Sequence, residues 1–187
     1  MVDTNLVGTL NVLESAREWG SKLMFLSTSR VYPIEKLRAI RLTESDTRFG
    51  IAAAPEMSGV TANGVSEEFP LEGARMLYGA TKYASEIMVR EYAAQFGLQA
   101  VANRCGFVAG PWQMGRADQG VLTPWVAHHY FGLPLTYIVY GGKQVRDALH
   151  IEDLCDLVLM QIAASGDWRG QVYNVGGGCS SSFSLLD

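Results

Sequence analysis

Short, largely apolar runs alternate along this chain with segments of helical period, and that alternation constrains the fold more than any other feature. Leu23-Met24-Phe25-Leu26-Ser27, Gln99 to Cys105 and Gln171 to Val175 are too short for buried helices and are bounded by polar or glycine residues. Strands of that kind are covered on both faces, as in a parallel sheet between helices. Ahead of the first run, Leu6, Leu10, Leu13 and Ala16 recur at helical spacing; Asp3 or Thr4 can cap that helix and Gly20 ends it. A second helix is expected over Gly73–Phe96, with Leu77, Ala80, Ala84, Ile87, Met88, Tyr92 and Ala93 on neighbouring faces and Gly97 as its C-terminal cap. The pattern also predicts helices over Leu122–Phe131 and Glu152–Ala164, and strands over Thr136–Tyr140 and Gln144–Leu149. Together these elements make an α/β fold with a largely parallel sheet. Residues 33–70 hold Pro33, Gly50, Pro55, Gly59 and Gly64 without sustained periodicity, and read as a long loop of the kind that is functional or mobile.

Composition removes several functions. Fifteen Lys plus Arg against nineteen Asp plus Glu give a formal charge of −4, so there is no basic footprint for nucleic acid or a membrane surface. Cys105, Cys155 and Cys179 form no Cys-x-x-Cys pair, and His128 and His129 are adjacent while His150 stands apart, so no metal site is expected. Asp3, Asn5 and Glu14 interrupt the N-terminal apolar stretch, against a signal peptide. No run reaches the roughly 20 apolar residues of a membrane span. A reducing cytoplasm is the expected compartment.

Two features carry chemistry. In Tyr78-Gly79-Ala80-Thr81-Lys82 the phenol and the ammonium are four residues apart, hence on one helix face. A phenol of pKa about 10 is a poor base at neutral pH. A neighbouring cation favours the phenolate and lowers that value. The pattern is loose, and a tyrosine and lysine that merely share a face also satisfy it. The second feature is Ser27-Thr28-Ser29 at the end of the first strand, where open α/β sheets bind their ligands. These hydroxyls suit a sugar or alcohol, and equally suit ordinary turn hydrogen bonding.

In combination these features resemble a known group. A strand ending in Ser-Thr, a helix bearing Tyr-x-x-x-Lys and a strand ending in Arg104-Cys105-Gly106 resemble the extended short-chain dehydrogenase/reductase superfamily of NAD-dependent epimerases and dehydratases. The matching stretches are 25–35, 77–86, 103–121, 141–154 and 172–178, and their wording is most similar to that of epimerases acting on CDP-sugars. The resemblance implies a Rossmann-like doubly wound fold, NAD as cofactor and a nucleotide-sugar substrate, with a CDP-sugar favoured. It implies that Tyr78 is the general base toward a sugar hydroxyl, that Lys82 holds the cofactor ribose and depresses the tyrosine pKa, and that Thr28 orders the substrate and shares in proton transfer. Asn5, Ser27, Tyr78, Lys82, Cys105 and Gly106 are implied to line the cofactor. Arg146 is implied to contact the substrate diphosphate, by the charge-assisted pairing that guanidinium offers phosphate; a surface ion pair with Asp147 is its alternative. Arg116, Asp118 and Gln119 fall where relatives have a substrate loop. The implied reaction inverts one sugar carbon by oxidation and re-reduction through a keto intermediate. A homodimer through helices 3–19 and 73–96 is also implied.

The sequence departs from the superfamily in one respect. No Gly-x-x-Gly-x-x-Gly turn for the pyrophosphate is present, and Gly176 to Gly178 follow a late strand instead. The resemblance therefore places residues 1–111 in the C-terminal part of a cofactor domain. It places 112–187 in a substrate-binding region interleaved with the last Rossmann elements, and leads to the expectation of a chain truncated at both ends. Another nucleotide-sugar 4-epimerase, dehydratase or reductase is the alternative within the superfamily, and a non-catalytic interaction protein the alternative outside it. Against a dehydratase, Ser29 and Arg30 stand after Thr28 where those enzymes carry an acid pair.

Overall fold

The computed structural model describes residues 1–187 except 53–55, 116–119, 138 and 165. In chain order it contains α1 (Gly8–Trp19), β1 (Leu23–Thr28), α2 (Ile34–Arg38), β2 (Leu42–Glu44), β3 (Phe49–Ile51), β4 (Val60–Thr61), β5 (Gly64–Val65), α3 (Leu77–Phe96), β6 (Ala100–Cys105), β7 (Phe107–Ala109), α4 (Leu122–Tyr130), β8 (Arg146–His150), α5 (Ile151–Ala163), β9 (Arg169–Val175) and β10 (Ser182–Phe183). The central sheet runs β1-β6-β9, all parallel, with Thr28, Cys105 and Val175 in register at the carboxyl ends. Alternation along β6 separates its two faces. Ala100 packs with Leu13, Val89 and Tyr92 on the α1/α3 side, whereas the Asn103 amide exchanges hydrogen bonds of 2.7 and 3.0 Å with Gln161 of α5. Helices therefore cover opposite faces, as the continuously apolar strands require. Beyond the carboxyl ends a small mixed sheet pairs β7 parallel to β8, and β8 antiparallel to β10.

Several boundaries differ from expectation for visible reasons. The first helix does not start from an Asp3 or Thr4 cap: Asp3–Val7 forms a wider π-helical turn with no side-chain cap. There the Asn5 carbonyl accepts the hydroxyls of Thr9 (2.5 Å) and Ser85 (2.7 Å), and side-chain insertion into the ladder opens the turn. Helix α3 opens at Leu77 rather than Gly73, because the Arg75 guanidinium donates to the carbonyls of Val31 (2.7 Å), Gly73 (3.1 Å) and Leu71 and holds that stretch out of helical form. Thr136–Tyr140 forms no strand among its described residues; Tyr137 instead packs on Trp125, ring centroids 5.3 Å apart.

The 33–70 segment is more built than a loop. It contains α2 and the hairpins β2-β3 and β4-β5, and it closes over a second core of Val31, Tyr32, Val60 and Phe69. Phe69 is 1% exposed and meets Tyr32 edge to face at 5.6 Å. Burying such a ring contributes about 2 kcal/mol, which fixes the segment against the sheet end.

Candidate active site

β1 ends at Thr28, whose hydroxyl accepts the Arg30 N–H at 3.3 Å and so caps a tight turn over Ser29–Val31. Because α3 begins at Leu77, Tyr78 lies in its first turn and Lys82 one turn further, on the same face. Gly79 brings these two segments together. A Cβ at that position would lie 2.0 Å from the Arg30 carbonyl oxygen, so only glycine lets the helix backbone rest on the turn that follows Thr28. Tyr78 remains 38% exposed, open to a ligand.

Lys82 reaches the outer strand of the sheet. Its Nζ donates to the Leu26 carbonyl at 2.6 Å and lies 4.2 Å from the centroid of the Phe25 ring. Burial pushes the Lys82 ammonium below its ordinary 10.5, with Cys105 acting weakly the other way. Cys105 is half-buried at the end of β6 and its Sγ donates to the Asn103 carbonyl at 3.6 Å. Burial pushes that thiol up from 9.0, and the Lys82 charge pulls it back. Gly106 follows, its N–H donating to the Val175 carbonyl at 2.8 Å. Thr28, Tyr78, Lys82, Cys105 and Gly106 thus come together at the carboxyl ends of β1 and β6.

Asn5 and Ser27 are placed beside this layer with their side chains turned inward. The Asn5 amide donates to the Thr81 hydroxyl at 2.9 Å, locking the π-helical turn to α3. The Ser27 hydroxyl donates to Glu86 Oε2 at 2.9 Å. Arg116, Asp118 and Gln119 lie outside the described residues. Arg146 is exposed at the start of β8, and its Nη1 donates to the adjacent Val145 carbonyl at 3.3 Å. It forms no ion pair with Asp147, whose carboxylate is drawn against Gly176; a Cβ there would come within 2.0 Å of Asp147 Oδ2.

A buried polar chain beneath the site went unread in the sequence. Glu86 and Arg104, with side chains 0% and 2% exposed, form a two-pronged ion pair in which Nε donates to Oε2 at 3.1 Å and Nη2 to Oε1. Arg104 Nη1 donates to the Tyr32 hydroxyl at 3.0 Å, and that hydroxyl donates to Asn174 Oδ1 at 2.6 Å. Asn174 in turn donates from its side chain to the Val65 carbonyl (3.0 Å) and from its backbone to Glu67. Every link is satisfied, the condition under which a buried charge pair is tolerable. Burial raises the Tyr32 phenol above its ordinary 10.0 against the opposing pull of Arg104, so it stays a neutral donor. The chain joins β1, α3, β6, β9 and the β4-β5 hairpin behind Thr28. One signal for it was present: Tyr78, Lys82 and Glu86 repeat at four-residue spacing, which puts a carboxylate on the Tyr78–Lys82 face of the helix.

A groove of about 670 Å3 between α5 and β9, lined by Val101, Leu157, Gln161 and Tyr173 among others, holds none of the residues of the Thr28–Tyr78–Lys82 layer. Convergent chemistry, rather than volume, marks the candidate site.

The fold and the sequence are shared with known proteins. The chain is 32% identical over 192 residues to a CDP-paratose 2-epimerase of Salmonella typhi, an alignment covering 99% of the chain and 54% of that protein. It is 30% identical over 178 residues to a dTDP-glucose 4,6-dehydratase of Xanthomonas campestris pv. campestris, covering 94% of the chain and 44% of the relative. The structure is similar to the crystal structure of dTDP-glucose 4,6-dehydratase from Bacillus anthracis in complex with NAD, with a TM-score of 0.69 and 25% identity, over 99% of this chain and 49% of that one. The chain spans about half the length of the relatives it matches. Residues 1–176 match the NAD dependent epimerase/dehydratase family, and with a Rossmann-type parallel sheet, a Tyr-x-x-x-Lys helix and a hydroxyl-bearing strand end in place, this chain belongs to that family.

Proposed function

We propose that the chain carries the catalytic layer of a nucleotide-sugar epimerase, which inverts one sugar carbon by oxidation and re-reduction. The observation that carries this reading is the meeting of Thr28, Tyr78 and Lys82 at one sheet end, made possible by the Gly79 contact. NAD is the cofactor of the family. The residues present suit its nicotinamide-ribose end, since a half-buried ammonium at the strand end is a donor for ribose hydroxyls, with Tyr78, Cys105 and Gly106 beside it. Asn5 and Ser27 support that end from behind, through Thr81 and Glu86. NAD held there would supply the hydride acceptor, and then the hydride donor, for the oxidation and re-reduction of the sugar carbon.

The protein's share is proton transfer and orientation. Tyr78 Oη takes the proton of the sugar hydroxyl as the carbon is oxidised and gives it back on re-reduction. Lys82, on the same helix face, brings a positive charge to the layer. Thr28 hydrogen-bonds the same hydroxyl and keeps it within reach of Tyr78. Arg146, Arg116 and Gln119 contact the nucleotide-sugar. Elimination of water needs an acid and a base beyond Tyr78, and Ser29 and Arg30 provide neither, which favours epimerisation over dehydration.

The likeness to the Salmonella typhi CDP-paratose 2-epimerase supports a CDP-linked sugar. In this reading residues 1–111 belong to the cofactor domain and 112–187 to the substrate region. Exposed Leu10, Val12 and Trp19 on α1 and Ile87 on α3 support a homodimer through these two helices. The three free cysteines suit a reducing cytoplasm, and no helix among the described residues is long and apolar enough to cross a membrane.

The test is turnover of CDP-sugars with NAD, followed at the reduced-nicotinamide absorbance and by proton NMR of the product. Tyr78→Phe is expected to lower the rate by about 10² to 10⁴. A Tyr78→Phe protein that inverts the sugar as fast as the unaltered one overturns the reading.

A further inference from the structure

The proton transfer proposed above needs Tyr78 beside Thr28, and the two are carried by separate elements, the start of α3 and the end of β1. α3 brings no cap of its own to that meeting. Its N-cap position is Met76, which makes no side-chain hydrogen bond to the helix, and its first turn holds no acidic residue. A helix start left in that state frays unless other parts of the fold grip it.

Arg75, directly before Met76, is the grip. Its Nη1 donates to the Val31 carbonyl at 2.7 Å, within the Ser29–Val31 turn that follows Thr28. Its Nη2 donates to the Gly73 carbonyl at 3.1 Å and to that of Leu71. Its guanidinium carbon lies 4.6 Å from the centroid of the Tyr83 ring, on the second turn of α3. Two consecutive carbonyls of the turn thus meet the start of the helix: that of Arg30 rests against Gly79, and that of Val31 accepts from Arg75. Leu71 and Tyr83 both pack against the second core, which gives the clip a fixed base. All three acceptors are neutral carbonyls, and among the described residues no carboxylate lies within ion-pair distance of Arg75. The grip therefore does not depend on the protonation of a partner. Charge-assisted hydrogen bonds are the strong ones, and a planar guanidinium fixes direction as well as distance.

We infer that Arg75 is a positioning residue, which clips the first turn of α3 to the turn after β1 and so sets the approach of Tyr78 to Thr28. In turnover this rests on the nucleotide-sugar reading, in which Arg75 contacts neither sugar nor cofactor and acts through Tyr78. Without the clip the phenol drifts, and a shift of about 1 Å between reacting groups is enough to cost about 10² in rate.

The test uses the 187-residue chain with Arg75→Lys, which keeps the charge but not the fork, and Arg75→Met, which keeps only the stem. Val89→Ala, in the buried body of α3, is the control for plain destabilisation, and thermal unfolding checks that each variant is folded. The first measurement is the nuclear Overhauser contact between the Gly79 α-protons and the Arg30–Val31 turn. Both Arg75 variants are expected to weaken it severalfold, while Val89→Ala keeps it. The second is turnover of CDP-sugars with NAD, where both Arg75 variants are expected to lower kcat by about 10 to 10² with KM unchanged. An Overhauser contact that persists in both Arg75 variants overturns the clip. A lost contact with kcat unchanged, or with the loss appearing in KM alone, overturns the positioning role and leaves the nucleotide-sugar reading standing. No turnover by the unaltered chain, or turnover as fast in Tyr78→Phe, overturns that reading and the role in turnover with it, and the Overhauser contact then decides the clip alone.

Discussion

Helices α3 and α4 carry similar apolar side chains in opposite surroundings. Val89 and Tyr92 of α3 are 0% and 6% exposed, whereas Val126 and Tyr130 of α4 are 68% and 80% exposed. α3 lies across β1, β6 and β9 and buries six residues, while α4 buries none. The difference teaches that apolar content alone places nothing: a helix buries its apolar face where a sheet offers a matching surface. The same contrast locates the chemistry. Tyr78, Lys82 and Glu86 all lie on the clamped helix, the kind of support that the proposed proton transfer needs.

The largest effect is expected where the clamp is polar. Glu86→Ala or Arg104→Ala leaves the opposite charge buried and unpaired, and each is expected to cost about 3–5 kcal/mol in urea unfolding. A double replacement, Glu86→Leu with Arg104→Met, removes both charges and is expected to recover most of that loss. If the single variants unfold like the unaltered chain, the polar clamp is not what distinguishes α3. Next is Gly79→Ala, whose methyl must push the helix off the Arg30 carbonyl, at a cost of about 1–3 kcal/mol. This variant also moves Tyr78 away from Thr28, so turnover should fall further than stability. The apolar comparison is tested by a matched pair: Val89→Ala is expected to destabilise by about 2 kcal/mol and Val126→Ala by less than about 0.5. Equal values would show that α4 is covered in solution.

The smallest effect is in pH dependence. Folding lowers Lys82 below 10.5, so between the lowered value and 10.5 the unfolded chain holds a proton that the folded chain lacks, and stability from this group rises with pH. Cys105 has the opposite sign: folding raises it above 9.0, so its contribution is complete below 9.0 and is lost as pH climbs through the raised value. Measured against Lys82→Met, the unaltered chain should gain relative stability as pH rises toward 10.5. Measured against Cys105→Ala, it should lose relative stability above 9.0. No difference in slope would place these groups in water rather than at a buried strand end, and a reversed slope would mean that folding favours their charged forms.

The candidate site was legible where its chemistry is local. Tyr78 and Lys82 share a face because a helix turns every 3.6 residues, and Thr28 ends a strand because the apolar run stops there. The Glu86–Arg104 pair was not legible as a pair, since its members are 18 residues apart on different elements and only the docking of α3 on β6 joins them. The Tyr32–Asn174 link spans 142 residues, beyond any periodicity. The 33–70 segment was read as a loop because strands of two or three residues leave no pattern, although Phe69 organises a core beneath them. Thr136–Tyr140 was misread for the opposite reason: its apolar residues suit a strand, but Tyr137 packs on the Trp125 ring of α4 instead.

The sequence by itself determined the α/β alternation, the parallel character of the central sheet, the faces on which Tyr78 and Lys82 lie, and the family. These follow from side-chain direction along a single element, which backbone geometry sets locally. Only the tertiary structure decided that Gly79 brings the Tyr78 turn onto the Thr28–Arg30 turn and that Glu86 meets Arg104. Those contacts depend on how separate elements dock, which is fixed by strand register and close packing across the whole fold.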